Sequence, residues 1–426
     1  MNYCDLNRIL IKYRRDFHKY PELGWTEFRT SSIIASVLDE LGFEVKVGKE
    51  IIIENEVMGR PDHEVIERNI NRAISQGANI KWIKRMNGYT GVLGVLEGRK
   101  EGKTVLLRFD IDAVNIDESQ DKEHIPFNER FSSMNKGVMH ACGHDGHAAI
   151  GLAFAHVFSE LKEKLCGRII LLFQPAEEGV RGARAIHMDD FAHKVDNFAS
   201  GHIGLGLKEG EFAAGASGFL CTTKLDVEYN GKSAHAGLNP NEGCNVLLAA
   251  ATAVLNLHSI APHKDGSSRI NVGVLNAGES RNSIPSRAYM QIETRGETND
   301  INHYVYEKAV KVIKSAAEMY DEGYSIRKMG EASHCSCDKE MVDIIYKCAE
   351  DIEEIKDIKI DYHIGASEDV SLLINKVQSL GGKCSYMVFG TNTKGGHHNE
   401  KFDFDENVLL TALKVYKSVV FDIMKV

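Results

Sequence analysis

With 426 residues, 43% hydrophobic and 26% charged, the chain has the balance of a globular protein and is too long for one ordinary core, so two or three domains are expected. A net charge of -10 argues against nucleic acid or an anionic membrane surface as the main partner. It leaves open a small anionic substrate, which meets only local charge.

No run approaches a membrane span. The N-terminal stretch MNYCDLNRILIKYRRDFHKY is charged every few positions and lacks an apolar run and a cleavage site, so no signal peptide is expected. Nine cysteines, from Cys4 to Cys384, are odd in number and are expected to be reduced; Cys335 and Cys337 stand too close for an easy disulfide. These features predict a cytoplasmic location.

In chain order, Leu6, Ile9, Leu10, Tyr13 and Phe17 keep one face of a helix, Pro21 interrupts it, and Phe28 to Leu41 resume the pattern until Gly42. FEVKV alternates as an edge strand does. Between Gly48 and Gly88 lies a polar, partly helical stretch with no catalytic motif, which reads as an insertion near 49–88 in the first domain. A β/α pattern begins at Tyr89. GVLGVLEG makes a strand and turn. Thr104 to Asp110, TVLLRFD, is a continuous apolar strand of a central sheet, with Asp110 and Asp112 at its end.

Met139 to His147, MHACGHDGH, then packs Cys142, His140, His144 and His147 around Gly143 and Gly146. Thiolate and imidazole both suit a borderline-soft divalent ion, and the glycines let two short side chains point at one place. Ile150, Phe154, Val157, Phe158, Leu161 and Leu165 follow at helical spacing, so the cluster sits where a core helix begins. Arg168 to Phe173 is a second buried strand, followed by Pro175, Glu177 and Glu178. NFASGHIG is a third, with His202 after it, and Cys384 to Gly390 a fourth, whose loop carries His397 and His398.

Four strand ends thus each deliver a metal-type ligand or a carboxylate. In open α/β sheets ligands bind beyond the carboxyl ends of the strands, whereas unrelated salt bridges and helix caps would scatter such residues. From about Thr222 to Ser336 the character changes to the β-α-β-β-α-β order of a ferredoxin-like sandwich. This predicts a domain at 222–336 inserted into one made of 1–221 and 337–426.

Cys142, His144, one of Glu177 and Glu178, His202 and one of His397 and His398 are more ligands than one tetrahedral ion takes. Two ions sharing a ligand, about 3.5 to 4 Å apart in typical two-metal hydrolases, use them naturally. Such a pair acidifies water and polarises a carbonyl. The glutamate left over is placed to accept the water proton and pass it to a leaving amine; spacing does not assign which glutamate that is.

Together MHACGHDGH, FQPAEEG, GHIG, NGKSAHAG and HHNEKFDFDE resemble the M20 metallopeptidase superfamily, in the amidohydrolase branch that holds indole-acetyl-amino-acid and hippurate hydrolases. The similarity covers nearly the whole chain. RRDFHKYPELGWTEFRT, the 49–88 insertion and the GTNTKGGHHNEKFDFDE ending point to the subgroup acting on p-aminobenzoyl-glutamate. The resemblance implies an α/β fold, a mixed central sheet flanked by helices of the zinc-peptidase kind, with 222–336 as a lid and dimerisation domain.

It also implies that Cys142, His144, Glu178, His202 and His398 bind two divalent metal ions, Mn2+ or Zn2+, and that Glu177 is the general base. His398 is preferred to His397 because the family pattern is a histidine followed four residues later by Phe, here Phe402; His397 is then a supporting group or a neighbour. Asp112 matches a supporting aspartate. Asp110 falls where many M20 peptidases carry a ligand histidine, and Cys142 where they carry an aspartate. By the same resemblance His235 in SAHAG would reach the partner subunit's site in a homodimer and stabilise the oxyanion. Asn282 and Arg295, with Asn271 a weaker candidate, would grip the substrate carboxylate.

The implied reaction is hydrolysis of the amide of an N-acyl amino acid, best p-aminobenzoyl-glutamate to p-aminobenzoate and glutamate. Other N-acyl amino acids or short peptides are alternatives. So is a non-catalytic partner in an assembly with a related B subunit, against which the full set of ligands and base argues.

Overall fold

The computed structural model describes residues 1–425. Two compact units arise: one from residues 1–217, 335–364 and 372–425, the other from Gly218–His334 and Gly365–Ser371. No helix among the described residues is long and apolar enough to cross a membrane.

The first unit opens with α1 (Tyr3–Lys19) and α2 (Phe28–Glu40), parted around Pro21 as the sequence predicts. β1 (Glu44–Val47) follows, and the 48–88 stretch carries α3 (His63–Ser75) and α4 (Ile80–Met86). Next come β2 (Val92–Glu97), β3 (Lys100–Asp110), the short α5 (Ile125–Asn128), α6 (His144–Leu161), β4 (Cys166–Gln174), β5 (Asn197–Ile203), β6 (Glu211–Ala213) and β7 (Ala216–Ser217).

The second unit contains β8 (Cys221–Asn230), α7 (Val246–Leu257), β9 (Ser268–Ala277), β10 (Arg287–Gly296), α8 (Asn299–Met319) and β11 (Gly323–Ala332). Its strands form an antiparallel sheet in the order β11-β8-β10-β9. Leu225, Val227, Met290, Ala249, Ala253 and Ile313 close its core against α7 and α8, which is the ferredoxin-like sandwich expected.

The chain then adds α9 (Lys339–Glu350), β12 (Asp357–Lys359), β13 (Tyr362–His363), α10 (Val370–Ser379), β14 (Lys383–Phe389), β15 (Thr393–Lys394), β16 (Asp403–Phe404) and α11 (Asn407–Met424). The large sheet of the first unit runs β1-β2-β4-β3-β5-β14-β6-β12. Its middle four strands, β4, β3, β5 and β14, are mutually parallel neighbours. Their carboxyl ends therefore share one edge of the sheet. β1, β2 and β6 pair antiparallel, which makes the sheet mixed.

Two sequence expectations shift, and three elements had none. Leu165 lies beyond α6, in the connection to β4, and is buried there by other means than the helix face. His202 is the penultimate residue of β5, not a residue after it. The α10 helix and the short strands β6 and β12 carry too few periodic residues to be read in advance.

A buried ionic network fixes the start of α6. Arg14, 1% exposed, donates from Nε to Asp145 at 3.1 Å and from Nη2 to Asp403 at 2.6 Å. His18 faces Asp145 through Nδ1 at 2.7 Å and Glu118 through Nε2 at 2.9 Å. Both ring nitrogens donate, so the ring is an imidazolium. Burial and the Arg14 charge work to lower its pKa, but the bonds to Asp145 and Glu118 prevail and raise it to about 9. A pKa raised above the unfolded value stabilises the fold below about pH 6.5, and that increment is lost as pH rises through about 9. Its size is on the order of 3 kcal/mol. Urea unfolding of the wild type and of His18→Asn at pH 6 and pH 9.5 checks this: the difference between the two proteins should be large at pH 6 and shrink at pH 9.5.

Candidate metal centre

Asp112, just past β3, joins two of the strand ends. Its Oδ1 and Oδ2 accept the backbone N–H groups of Glu177 and Glu178, each at 3.0 Å. Its carbonyl oxygen lies 2.9 Å from His144 Nδ1. Gly143, the residue that caps α6, sits at φ +96°, a left-handed geometry that suits glycine and turns His144 toward Asp112.

Hydrogen-bond partners assign the tautomers. His144 Nδ1–H donates to the Asp112 carbonyl, and His202 Nδ1–H donates to the Ile203 carbonyl at 2.8 Å. Each imidazole is left with an Nε2 lone pair aimed inward, the arrangement that metal-binding histidines use. His202 Nε2 is 3.5 Å from Cys142 Sγ. His144 Nε2 is buried without a hydrogen-bond partner, 3.7 Å from Asp110 Oδ1 and 3.9 Å from Glu177 Oε2. His398 Nε2 stands 3.0 Å from Glu178 Oε1. The ligand atoms of Cys142, His144 and His202, of Cys142, Glu178 and His398, and of His144, Glu177 and Glu178 each lie within 4.8 Å of one another.

Other nearby groups are already committed. Asp110, His144 and His147 also cluster, but His147 Nδ1–H donates to Asp110 at 2.5 Å and its Nε2 accepts the Ile203 N–H at 3.0 Å. Neither nitrogen is left for an ion. Asp110 is further held by Arg108 at 2.6 Å. His397 Nε2 accepts the Leu205 N–H at 3.2 Å, which leaves Nδ1–H facing Cys142 Sγ at 3.6 Å.

The donor set suits a cation. Burial and then the charge of Glu178 push the Cys142 thiol up to about 12, so it ionises at neutral pH only against a positive charge. Burial works to lower the His144 pKa, but Asp110 and Cys142 hold it well above the ordinary imidazole range, so these anions favour positive charge at Nε2, which a bound cation supplies in place of a proton. Burial, reinforced by His147, keeps His202 well below it. Burial opposes ionisation of Glu178, yet the His398 hydrogen bond and His144 bring it below the usual carboxylate value. An orphaned inward nitrogen, a second inward lone pair, a thiol and converging carboxylates together fit a divalent metal.

The sequence pattern of peptidase family M20/M25/M40 matches residues 106–422. The chain belongs to that family. It is thereby a metal-dependent hydrolase of amide bonds. This M20 chain is 46% identical over 417 residues to a p-aminobenzoyl-glutamate hydrolase subunit homolog of Haemophilus influenzae, covering 98% of each. It is 45% identical over 408 residues to the indole-3-acetyl-aspartic acid hydrolase of Enterobacter agglomerans, covering 95% and 93%. An aminobenzoyl-glutamate utilization protein from Klebsiella pneumoniae superposes with a TM-score of 0.85 at 38% identity, covering 99% of this chain and 97% of the other.

The residues singled out for the oxyanion and the substrate carboxylate, His235, Asn282, Arg295 and the weaker candidate Asn271, belong to the second unit. His235 is exposed and its Nδ1 accepts the N–H groups of Gly237 and Leu238, both at 3.1 Å, so Nε2 carries the proton. Asn282 is exposed and accepts the Ser280 hydroxyl. Arg295 is engaged by Glu293 on its own strand, at 2.9 and 3.1 Å.

Sequence reading missed Glu27, whose buried carboxyl accepts the Ala176 N–H. The only signal was an acidic residue at the mouth of a helix that faces the core. The histidines with an inward Nε2 lone pair differ in metal binding from His147, whose two nitrogens are engaged. After dialysis and metal analysis, His144→Ala and His202→Ala should lose bound divalent metal. His147→Gln should reach full occupancy at saturating metal, with affinity lowered about 10- to 100-fold.

Proposed function

We propose that this chain hydrolyses the amide between an aromatic acyl group and an acidic amino acid, with p-aminobenzoyl-glutamate, cleaved to p-aminobenzoate and glutamate, as the leading substrate. One observation carries the reaction: two inward imidazole lone pairs meet Cys142 and Glu178, with Glu177 beside them. The substrate reading draws support from relatives at 45–46% identity, one named for aminobenzoyl-glutamate and one for indole-3-acetyl-aspartic acid.

Cys142, His144, Glu178, His202 and His398 would hold the metal, in our reading a pair of Mn2+ or Zn2+ ions. Bound there, such ions polarise the amide carbonyl and acidify a water molecule. Glu177 takes the water proton and delivers it to the leaving nitrogen. The Asp112 bond to the Glu177 amide holds that carboxylate in place. His397 steadies the Cys142 sulfur.

In the second unit, read as lid and dimerisation domain, His235 offers its Nε2–H to the oxyanion in the site of a second copy. Asn282 and Arg295 bind the substrate carboxylate, Arg295 with its guanidinium plane held by Glu293. A homodimer through this unit is supported by β9, an edge strand, and by Leu247, Leu248 and Leu255 exposed on α7. A related B subunit is a further partner in this reading, and the setting is cytoplasmic.

The test is glutamate release from p-aminobenzoyl-glutamate by the purified chain, after chelation and after adding back manganese or zinc. Chelation should abolish release and metal restore it. Glu177→Gln should keep the metal and lower kcat by about 10²- to 10⁴-fold. No release by the metal-loaded chain, with release from indole-3-acetyl-aspartate, would move the substrate to the second relative's chemistry.

A further inference from the structure

The PELGWTEFRT stretch holds two buried glutamates, and they divide the work at the start of α2 in an unexpected way. Glu27 is the residue that caps the helix, where a side chain ordinarily accepts the amides of the first turn. It makes no such bond. Glu22, five residues earlier, does it instead: its Oε1 accepts the Arg29 N–H at 3.1 Å and its Oε2 the Thr30 N–H at 2.8 Å.

The Glu27 carboxyl is thereby released to reach the loop after β4. Its Oε1 accepts the Ala176 N–H at 2.7 Å and its Oε2 the Thr90 hydroxyl at 2.6 Å. Ala176 is fully buried and left-handed at φ +51°, a conformation an alanine holds only when its surroundings impose it. With Asp112, three successive amides, of Ala176, Glu177 and Glu178, are each held by a carboxyl oxygen. The exit from the turn is closed by Arg181, which donates to the Glu178 carbonyl at 2.7 Å and the Gly59 carbonyl at 3.2 Å.

We propose that Glu27 is a positioning residue for the reaction: by fixing the Ala176 amide it holds the left-handed turn from which Glu177 projects as base. Glu27 touches neither substrate nor metal; it acts through the backbone. The inference rests on the reading of Glu177 as the base.

The experiment compares the metal-loaded full-length wild type with Glu27→Ala, Glu27→Gln, Thr90→Val and Glu177→Gln. It measures steady-state kinetics on the amide the wild type cleaves, metal content, and amide hydrogen exchange over residues 175–182. Glu27→Ala should lower kcat about 10- to 100-fold with KM within about threefold, keep its metal, and speed exchange in that loop. Glu27→Gln keeps an acceptor for the Ala176 N–H and should restore kcat to within about threefold of wild type. Thr90→Val, which removes only the second anchor, should fall between. Wild-type kcat in Glu27→Ala overturns the proposal, as does a Glu27→Gln as impaired as Glu27→Ala. Faster exchange throughout α2 without change at 175–182 does so too. Full activity of Glu177→Gln instead overturns the reading of the base, and is told apart because exchange in the loop still reports on Glu27.

Discussion

The bridge from the Asp112 carboxylate to the amides of Glu177 and Glu178 is the contact on which the site depends. It spans from the end of β3 to the end of β4, which are parallel neighbours, so the two ends arrive together without a long excursion of the chain. A carboxylate facing consecutive N–H groups is a charge-assisted arrangement that orients both glutamates at once. The carbonyl of the same residue takes the His144 Nδ1–H. A strand end, a turn and a helix start therefore meet at one residue.

Burying so many acids has a cost that the surrounding residues offset unevenly. Asp110 is satisfied by Arg108 and by His147. Asp145 is satisfied by Arg14 and His18. Both are structural anions with fixed counter-charges, and both act where the MHACGHDGH segment enters α6, Asp145 as one of its residues and Asp110 as the partner of His147. Glu27, by contrast, meets a backbone N–H and a hydroxyl rather than a counter-charge, and burial together with Asp112 raises its pKa to about 8. A neutral carboxyl still accepts the Ala176 N–H at Oε1 while its Oε2–H donates to the Thr90 hydroxyl oxygen, so it can hold the turn without adding charge beside Glu177. Glu178, held below the usual carboxylate value, keeps its charge beside the inward lone pairs, which is what a divalent ion needs.

Much of this was legible in the sequence because the central strands are continuous apolar runs and each ends in a chemically conspicuous residue. TVLLRFD, GRIILLFQ and CSYMVF could only be buried strands, and the family resemblance joined their ends. The inserted sandwich was legible for the complementary reason: its half-buried strands alternate cleanly, as β10 does with buried Ala288, Met290 and Ile292. What escaped was non-periodic. β6 and β12 are three residues each, and their pairing is decided by what lies next to them. The Glu27 contact joins residues 149 apart, and no local pattern records it.

The adjacent pair His397 and His398 shows most plainly where sequence stops. Both are imidazoles on one loop, and spacing to Phe402 is all that separates them by pattern. In the fold His398 is left-handed, at φ +60°, and the bend sends the two rings to different tasks. His397 packs its ring 4.9 Å from that of Phe402 and spends Nε2 on the Leu205 amide. What it still offers is a proton, and a proton donor can support the Cys142 sulfur but cannot bind a metal through the same nitrogen. His398 turns its Nε2 to Glu178 instead, at 3.0 Å. What commits the His397 ring is thus one backbone amide, Leu205, nearly two hundred residues away in the chain.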